Sequence, residues 1–330
     1  MKIIVLTIVF LLTESFAQSV KPGSKIIVSS PELYQLIAEK ATIEILSDGF
    51  DWSEGPLWLP TEDKLIFSDI PQNAIFEWSE KGGVKLYLKP AGYTGTEKRG
   101  GESGSNGLLL NEKNALVLCQ HGDRRMARMN APLSSPKADF STLAGHYEEK
   151  KLNSPNDAVY DNKGNLYFTD PPYGLAKGDK GTLKELDFQG VYKVDKTGAI
   201  TLLTKELSRP NGLAFSPDYR KLYVANSDPQ KALWMVYEVA EDGQLKNGKI
   251  FFDATEKVKT LKGLPDGMKV HRRGWVFATG PGGVMVFTPE GKHLGTLFTG
   301  EATANCAFNA DQSELFMTAH HYLLRIKLKK

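Results

Sequence analysis

Cysteine is nearly absent, with only Cys119 and Cys306 in 330 residues. A disulfide-stapled scaffold is thereby excluded, since such folds use many bridges in place of a core. Both cysteines sit in apolar, strand-like runs and read as buried free thiols. An excess of one charge is missing too: 41 Lys and Arg face 39 Asp and Glu, a formal net charge of +2. This balance gives no electrostatic basis for binding nucleic acid or an anionic membrane surface. Lys327, Lys329 and Lys330 read as a solvated tail. Long apolar runs are lacking except near the start, from Ile3 to Leu12. That run is short for a bilayer span. Flanked by Lys2 and by the small residues Ser15 and Ala17, it reads as a signal peptide over 1–17, cleaved between Ala17 and Gln18. The expected location is secreted or periplasmic, with no membrane contact after cleavage. No cysteine follows the run, which argues against a lipoprotein.

Helical periodicity is also missing, and a different repeat stands in its place. Six segments open with a carboxylate or amide and continue into a mostly apolar run. They begin at Glu54, Asn106, Asn156, Asn211, Asp266 and Asn305, at intervals of about 40 to 55 residues. A polar turn and a second apolar run follow each, as in Leu65-Ile66-Phe67 or Leu222-Tyr223-Val224, which is a β-hairpin pattern. Third and fourth strands are visible in most repeats, for example Gly190 to Val194 and Ala199 to Leu203. Four-stranded units repeated radially are propeller blades. The last repeat ends after its third strand, Tyr322 to Leu328. The stretch Thr42 to Leu46 supplies the missing fourth strand and closes the ring, leaving no open edge there. The expectation is an all-β, six-bladed β-propeller with four-stranded blades over 42–330, preceded by an extension over 18–41. Within that extension, Ser30 to Lys40 reads as a short helix with Ser30 as N-cap and Pro31 at the first position. Nothing suggests a coiled coil or a swapped element, so a monomer is expected.

In a propeller the first strand of each blade lines the channel, so the six opening residues share one end of it. The second strands return to the same rim with Asp69, His121, Asp170, Asn226, Gly280 and His320. The long connections Lys89 to Ser105 and Pro171 to Gln189 emerge there as well, which puts the site on that rim. Carboxylates and amides converging in a buried channel are costly unless compensated. Either hydrogen bonds between blades or a hard cation would compensate. Oxygen-only donors suit Ca²⁺ first, or Mg²⁺. His121 and His320 keep Zn²⁺ open, and Mn²⁺ stays among the candidates.

The segments Ser53-Glu54-Gly55-Pro56-Leu57-Trp58, Ser154-Pro155-Asn156-Asp157, Arg209-Pro210-Asn211-Gly212-Leu213 and Leu264-Pro265-Asp266-Gly267-Met268 resemble the gluconolactonase/regucalcin family. Asp170-Pro171-Pro172-Tyr173-Gly174 and Asn305-Cys306-Ala307-Phe308 are most similar to its bacterial gluconolactonase branch. The resemblance implies a six-bladed propeller with one catalytic divalent cation and hydrolysis of a sugar lactone to the aldonic acid. It implies Glu54, Asn156, Asn211 and Asp266 around that cation, with Asn156 contacting substrate instead in some members. Asn106 and Asn305 are added from the repeat, as substrate contacts. Regucalcin-like members carry a substrate-binding Arg where this chain has Ser154, a departure that bears on sugar-acid specificity.

Chemically, the cation would polarise the lactone carbonyl while a carboxylate activates water. Asp266 is the first candidate base because the family gives its equivalent a dual role. Asp170 is second and His121 third. Substrate contacts are expected from Tyr93, Arg99, Glu102 and Tyr173 on the two long loops, and from His121. Gly92 to Gly107 has no Walker pattern and is not a phosphate cradle. Three alternatives stand beside this reading: an organophosphate-hydrolysing propeller, a non-catalytic binding module, and a purely structural Ca²⁺ site.

Overall fold

The structure, a computed structural model, describes residues 19–329. The signal-peptide reading of 1–17 lies outside them. Six antiparallel sheets form six blades. Blade 1 runs through Ser53–Leu59, Lys64–Asp69, Ala74–Ser79 and Gly83–Leu88. The inner strands of blades 2 to 6 are Ser105–Leu110, Ala158–Tyr160, Pro210–Phe215, Met268–Val270 and Thr303–Phe308. Blade 6 takes its fourth strand from Glu44–Asp48, which pairs with Tyr322–Lys327 in the register Leu324↔Ile45. The ring therefore closes as expected, two residues later along the chain than the apolar pattern marks.

Strand faces explain the core. In blade 2, Val117 and Cys119 pack towards blade 3, while Leu116 and Leu118 on the same strand pack towards blade 1. In blade 1, Leu65 and Phe67 face blade 6 and Ile66 faces blade 2. Each middle strand is buried on both faces, so its sequence is apolar throughout rather than alternating. The result is six apolar clusters, one between each pair of neighbouring blades. Cys119 and Cys306 lie in two of them as buried free thiols.

Three features differ from expectation. The helix over Ser30 to Lys40 is a single 3-10 turn, Pro31–Gln35, and Ser30 makes no side-chain cap. What holds it is burial: Leu33, Leu36 and Ile37 are fully buried between blades 5 and 6. The extension also adds strands. Lys25–Val28 pairs outside blade 5, and Ser19–Val20 pairs outside the closing strand. Finally, blade 2 has outer strands at Arg125–Met129 and Phe140–Ala144 that the apolar pattern does not show. Arg125 points outward there and binds Gln120, Asp123 and Thr142 instead of packing.

Candidate active site

The inner strands approach one another most closely at their first residues. Beyond the opening residue, four blades carry glycine: Gly55, Gly107, Gly212 and Gly267. A Cβ on Gly55 would lie 2.1 Å from the Asn106 carbonyl oxygen, and one on Gly212 would lie 2.3 Å from that of Asp266. Backbone hydrogen bonds cross between blades at this level, from Gly107 N to Asn156 O at 2.8 Å and from Gly267 N to Ala304 O at 2.7 Å. The polar-Gly pair thus serves two ends. Glycine lets the blades meet, and the residue before it is left pointing into the channel mouth.

There a cavity of about 470 Å³ opens. Glu54, Asn106, Asn156, Asn211 and Asp266 line its floor, so five of the six opening residues meet as the repeat predicts. Tyr173 and Glu102 line it from the two long loops. Trp52, Ile70, Val258, Leu261 and Leu264 form an apolar wall, three of them from the stretch between blades 4 and 5, where Val258 and Leu261 carry no signal in the sequence. Ser227 is a further contributor: it accepts from Asn211 Nδ2 at 3.0 Å and donates to the Pro265 carbonyl.

The electrostatics of the floor are unfavourable as it stands. Burial, reinforced by Asp157 and Glu102, raises the Glu54 carboxyl to about 8, although the Gly55 amide donates to it at 2.7 Å. Burial and the nearby Glu54, Asp157 and Glu102 push Asp266 well above the usual carboxylate range. Three buried oxygens, Asn106 Oδ1, Asn211 Oδ1 and Asp266 Oδ1, have no hydrogen-bond partner. Orphan acceptors beside strained carboxylates are a poor arrangement for protein alone and a good one for a hard cation. Among the described residues no three His, Cys, Asp or Glu side chains converge to bind a metal by themselves. The candidate donor set is therefore carboxylate plus carboxamide, and neither His121 nor His320 lines the cavity. The residues fit Ca²⁺ or Mg²⁺ better than Zn²⁺.

Several expected site residues have other positions. Asn305 is buried beneath the floor, where its Nδ2 donates to Asp157 Oδ2 at 3.3 Å and its Oδ1 accepts from Cys306 N at 2.9 Å. It supports the carboxylates rather than reaching substrate. Asp157, missed in the sequence, stands where other blades have glycine, and its Oδ1 accepts from Ala158 N at 2.8 Å. Asp170 is fully buried outside the cavity, and its two oxygens accept from Asn153 N and Ser154 N, both at 2.8 Å. Neither oxygen is free to act as a base. Arg99 donates to the Gly174 carbonyl and stacks 5.3 Å from the Tyr93 ring, strapping the two long loops together away from the cavity. His121 is fully buried and meets the cavity only through Glu102, whose Oε2 is 3.0 Å from its Nδ1. His121 and His320 also fall one residue past the rim position. Gln120 and Ala319 are the residues opposite Ser105 and Thr303 in register. Ser154 is occupied, donating to Pro171 O at 2.6 Å and accepting from Gly174 N at 2.9 Å.

A closed ring of six blades with an acid-and-amide cavity at the channel mouth is the architecture of a β-propeller with a candidate active site at one end of its channel. Comparison makes this specific, since residues 52–321 match the SMP-30/gluconolactonase/LRE-like region, and the chain belongs to that family. It is 36% identical to a gluconolactonase of Zymomonas mobilis over 92% of this chain and 86% of that one. A Xanthomonas campestris gluconolactonase structure superposes with a TM-score of 0.81 at 28% identity, covering 96% of this chain and 99% of the other. A calcium-binding regucalcin of Agrobacterium tumefaciens shares the fold, with a TM-score of 0.66 at 19% identity over 86% of this chain and 94% of that one.

Proposed function

We propose that this protein hydrolyses a neutral sugar lactone to its aldonic acid with the help of a divalent cation, Ca²⁺ before Mg²⁺, Mn²⁺ or Zn²⁺. Its class follows from its relatives: the chain is a lactonase-type hydrolase. The observation that carries the cation reading is the set of partnerless buried oxygens, Asn106 Oδ1, Asn211 Oδ1 and Asp266 Oδ1, on a floor shared with Glu54 and Asn156. Glu54, Asn156, Asn211 and Asp266 would hold the ion, with Asn106 beside them. Bound there, a cation polarises a carbonyl and offsets negative charge that develops on its oxygen.

The chain's own residues do the rest. Trp52 and the Val258, Leu261 and Leu264 wall offer an apolar face to the carbon skeleton of a ring. Tyr173 keeps its proton, since burial and the nearby Asp266 push its phenol far above the normal range, so it serves as a hydrogen-bond donor. Among the described residues no Lys or Arg lines the cavity, and Ser154 stands where the resemblance implies a substrate-binding Arg in regucalcin-like members. A neutral lactone suits this lining better than a phosphorylated or carboxylated one.

The test is acid release from glucono-1,5-lactone by protein stripped with chelator and then resupplied with single cations. Activity should vanish on stripping and return with Ca²⁺. Turnover that survives complete removal of metal would refute the cation reading. Absence of turnover on any sugar lactone with every cation would refute the substrate.

A further inference from the structure

We propose that Glu102 is the general base for lactone hydrolysis and that His121 holds it in position; this rests on the lactonase reading above. A base must reach the cavity and have an oxygen or nitrogen to spare. Glu54 and Asp266 belong to the candidate cation set, and a carboxylate committed to a cation is a weak base. Asp170 is spent on two backbone amides and Asp157 on Ala158 N and Asn305. His121 and His320 do not line the cavity. Glu102 does, and its side chain is 41% exposed, which leaves it open to water.

Glu102 is also held in place. Its backbone N–H donates to Tyr173 O at 3.3 Å, joining the two loops that carry the cavity's polar wall. Gly101 before it has φ +79°, and a Cβ there would meet Gly174 O at 2.8 Å, so the turn requires glycine. Glu102 Oε2 faces His121 Nδ1 at 3.0 Å. The His121 backbone N–H in turn donates to Gly104 O at 3.2 Å, so loop and histidine fix one another. His121 is fully buried and neither ring nitrogen completes a hydrogen bond, although Nδ1 stands beside Glu102. At 3.0 Å a small reorientation of the ring or the carboxylate lets Nδ1 donate to Glu102 and aim its other oxygen.

In the step, the attacking water's oxygen bonds to the lactone carbonyl carbon while its proton passes to Glu102. The bond between that carbon and the ring oxygen then breaks. The ring oxygen leaves as a hydroxyl and takes the proton from Glu102. The net change is the addition of one water, with no oxidation.

The experiment measures lactone turnover and, separately, cation binding by calorimetry. Glu102→Gln should lower kcat by about 100-fold or more with KM little changed, and cation affinity should match wild type. Added formate should restore part of the kcat of Glu102→Ala, which a structural role would not allow. His121→Asn should lower kcat by about 10-fold or more through misplacement of the base, with no further loss in a Glu102→Gln background. Wild-type kcat in Glu102→Gln overturns the proposal, as does loss of cation binding in step with activity or failure of formate to rescue. Additive effects of the two substitutions overturn the part given to His121. Should His121→Asn not fold, Glu102→Gln and formate rescue still decide the base. An inactive wild type would instead sink the lactonase reading, so the two failures are distinct.

Discussion

At the scale of single residues, the turn between the first and second strands has one design with interchangeable chemistry. Asn111 Oδ1 accepts from Lys113 N and Ala115 N, both at 2.9 Å, and Asp161 Oδ1 accepts from Lys163 N at 2.9 Å and Asn165 N at 2.8 Å. Blade 5 puts His271 there, and its Nδ1 accepts from Arg273 N at 3.2 Å. The ring is buried against Phe308, and burial with Arg272 and Arg273 lowers its pKa to about 4. The folded imidazole is therefore neutral, whereas the unfolded one takes a proton below about 6.5. Its contribution is fully present above pH 6.5 and is lost as pH falls towards 4. His271→Asn copies the blade 2 turn and removes the titration. Urea unfolding at pH 7 and pH 4.5 should show a smaller acid loss for the variant than for wild type. Equal losses would mean that His271 is not the group responsible.

The rim residues teach a related lesson about what a sequence reveals. Asp69, Asp170 and Asn226 stand at matched ends of second strands and look like a catalytic crown. Asp69 accepts from Asp51 N at 3.0 Å and Trp52 N at 3.2 Å, and Asn226 accepts from Arg209 N at 2.8 Å. With Asp170 they pin the loops that lead into the inner strands of blades 1, 3 and 4. Periodicity in the sequence shows that these residues matter equally, but it does not say whether their oxygens are free.

At the scale of elements, the blades were legible because each carries a carboxylate or amide opening, a turn and an apolar return, with glycine after the opening residue in four of the six. The ring closure was legible from an unpaired last blade. Blade 2's outer strands were not, because Arg125 and Arg128 break the apolar run of the third and Ser141 and Thr142 that of the fourth. The cavity's apolar wall was hidden for another reason. Val258, Leu261 and Leu264 lie in a loop without periodicity, and only the fold brings them opposite Trp52. Asp157 escaped notice because it replaces a glycine of the repeat, so its blade looks like a weaker copy of the others. The glycine positions give the element-scale prediction. Gly212→Ala would force a Cβ to 2.3 Å from Asp266 O and 2.5 Å from the Gly267 Cα. Separating the inner strands of blades 4 and 5 should cost about 1–3 kcal/mol. It should also weaken cation binding, since Asn211 and Asp266 sit on those two strands. Thermal unfolding and calorimetry on one sample check both, and a fully stable, tightly binding variant would show that the strands are not packed against each other there.

At the scale of the molecule, the cavity floor draws one side chain from each of five blades: Glu54, Asn106, Asn156, Asn211 and Asp266. A cation on that floor would tie the ring at its centre, as the closing strand ties it at its rim. Binding to the folded state alone stabilises by about 2.7 kcal/mol when the ion is at a hundredfold its Kd. Without the ion the same residues work against the fold, because Asp266 and Glu54 are buried and repel one another. Asp266→Asn should therefore have opposite effects in the two states. In chelator the variant should melt at or above the wild-type temperature, since Asn has no carboxyl that must be buried charged or take up a proton on folding. In saturating Ca²⁺ it should melt below wild type, since a ligand has been lost. Differential scanning calorimetry of both proteins in both buffers gives the four temperatures. A crossing of the order identifies the floor as a cation site that stabilises the ring, whereas a uniform drop would make Asp266 an ordinary structural carboxylate.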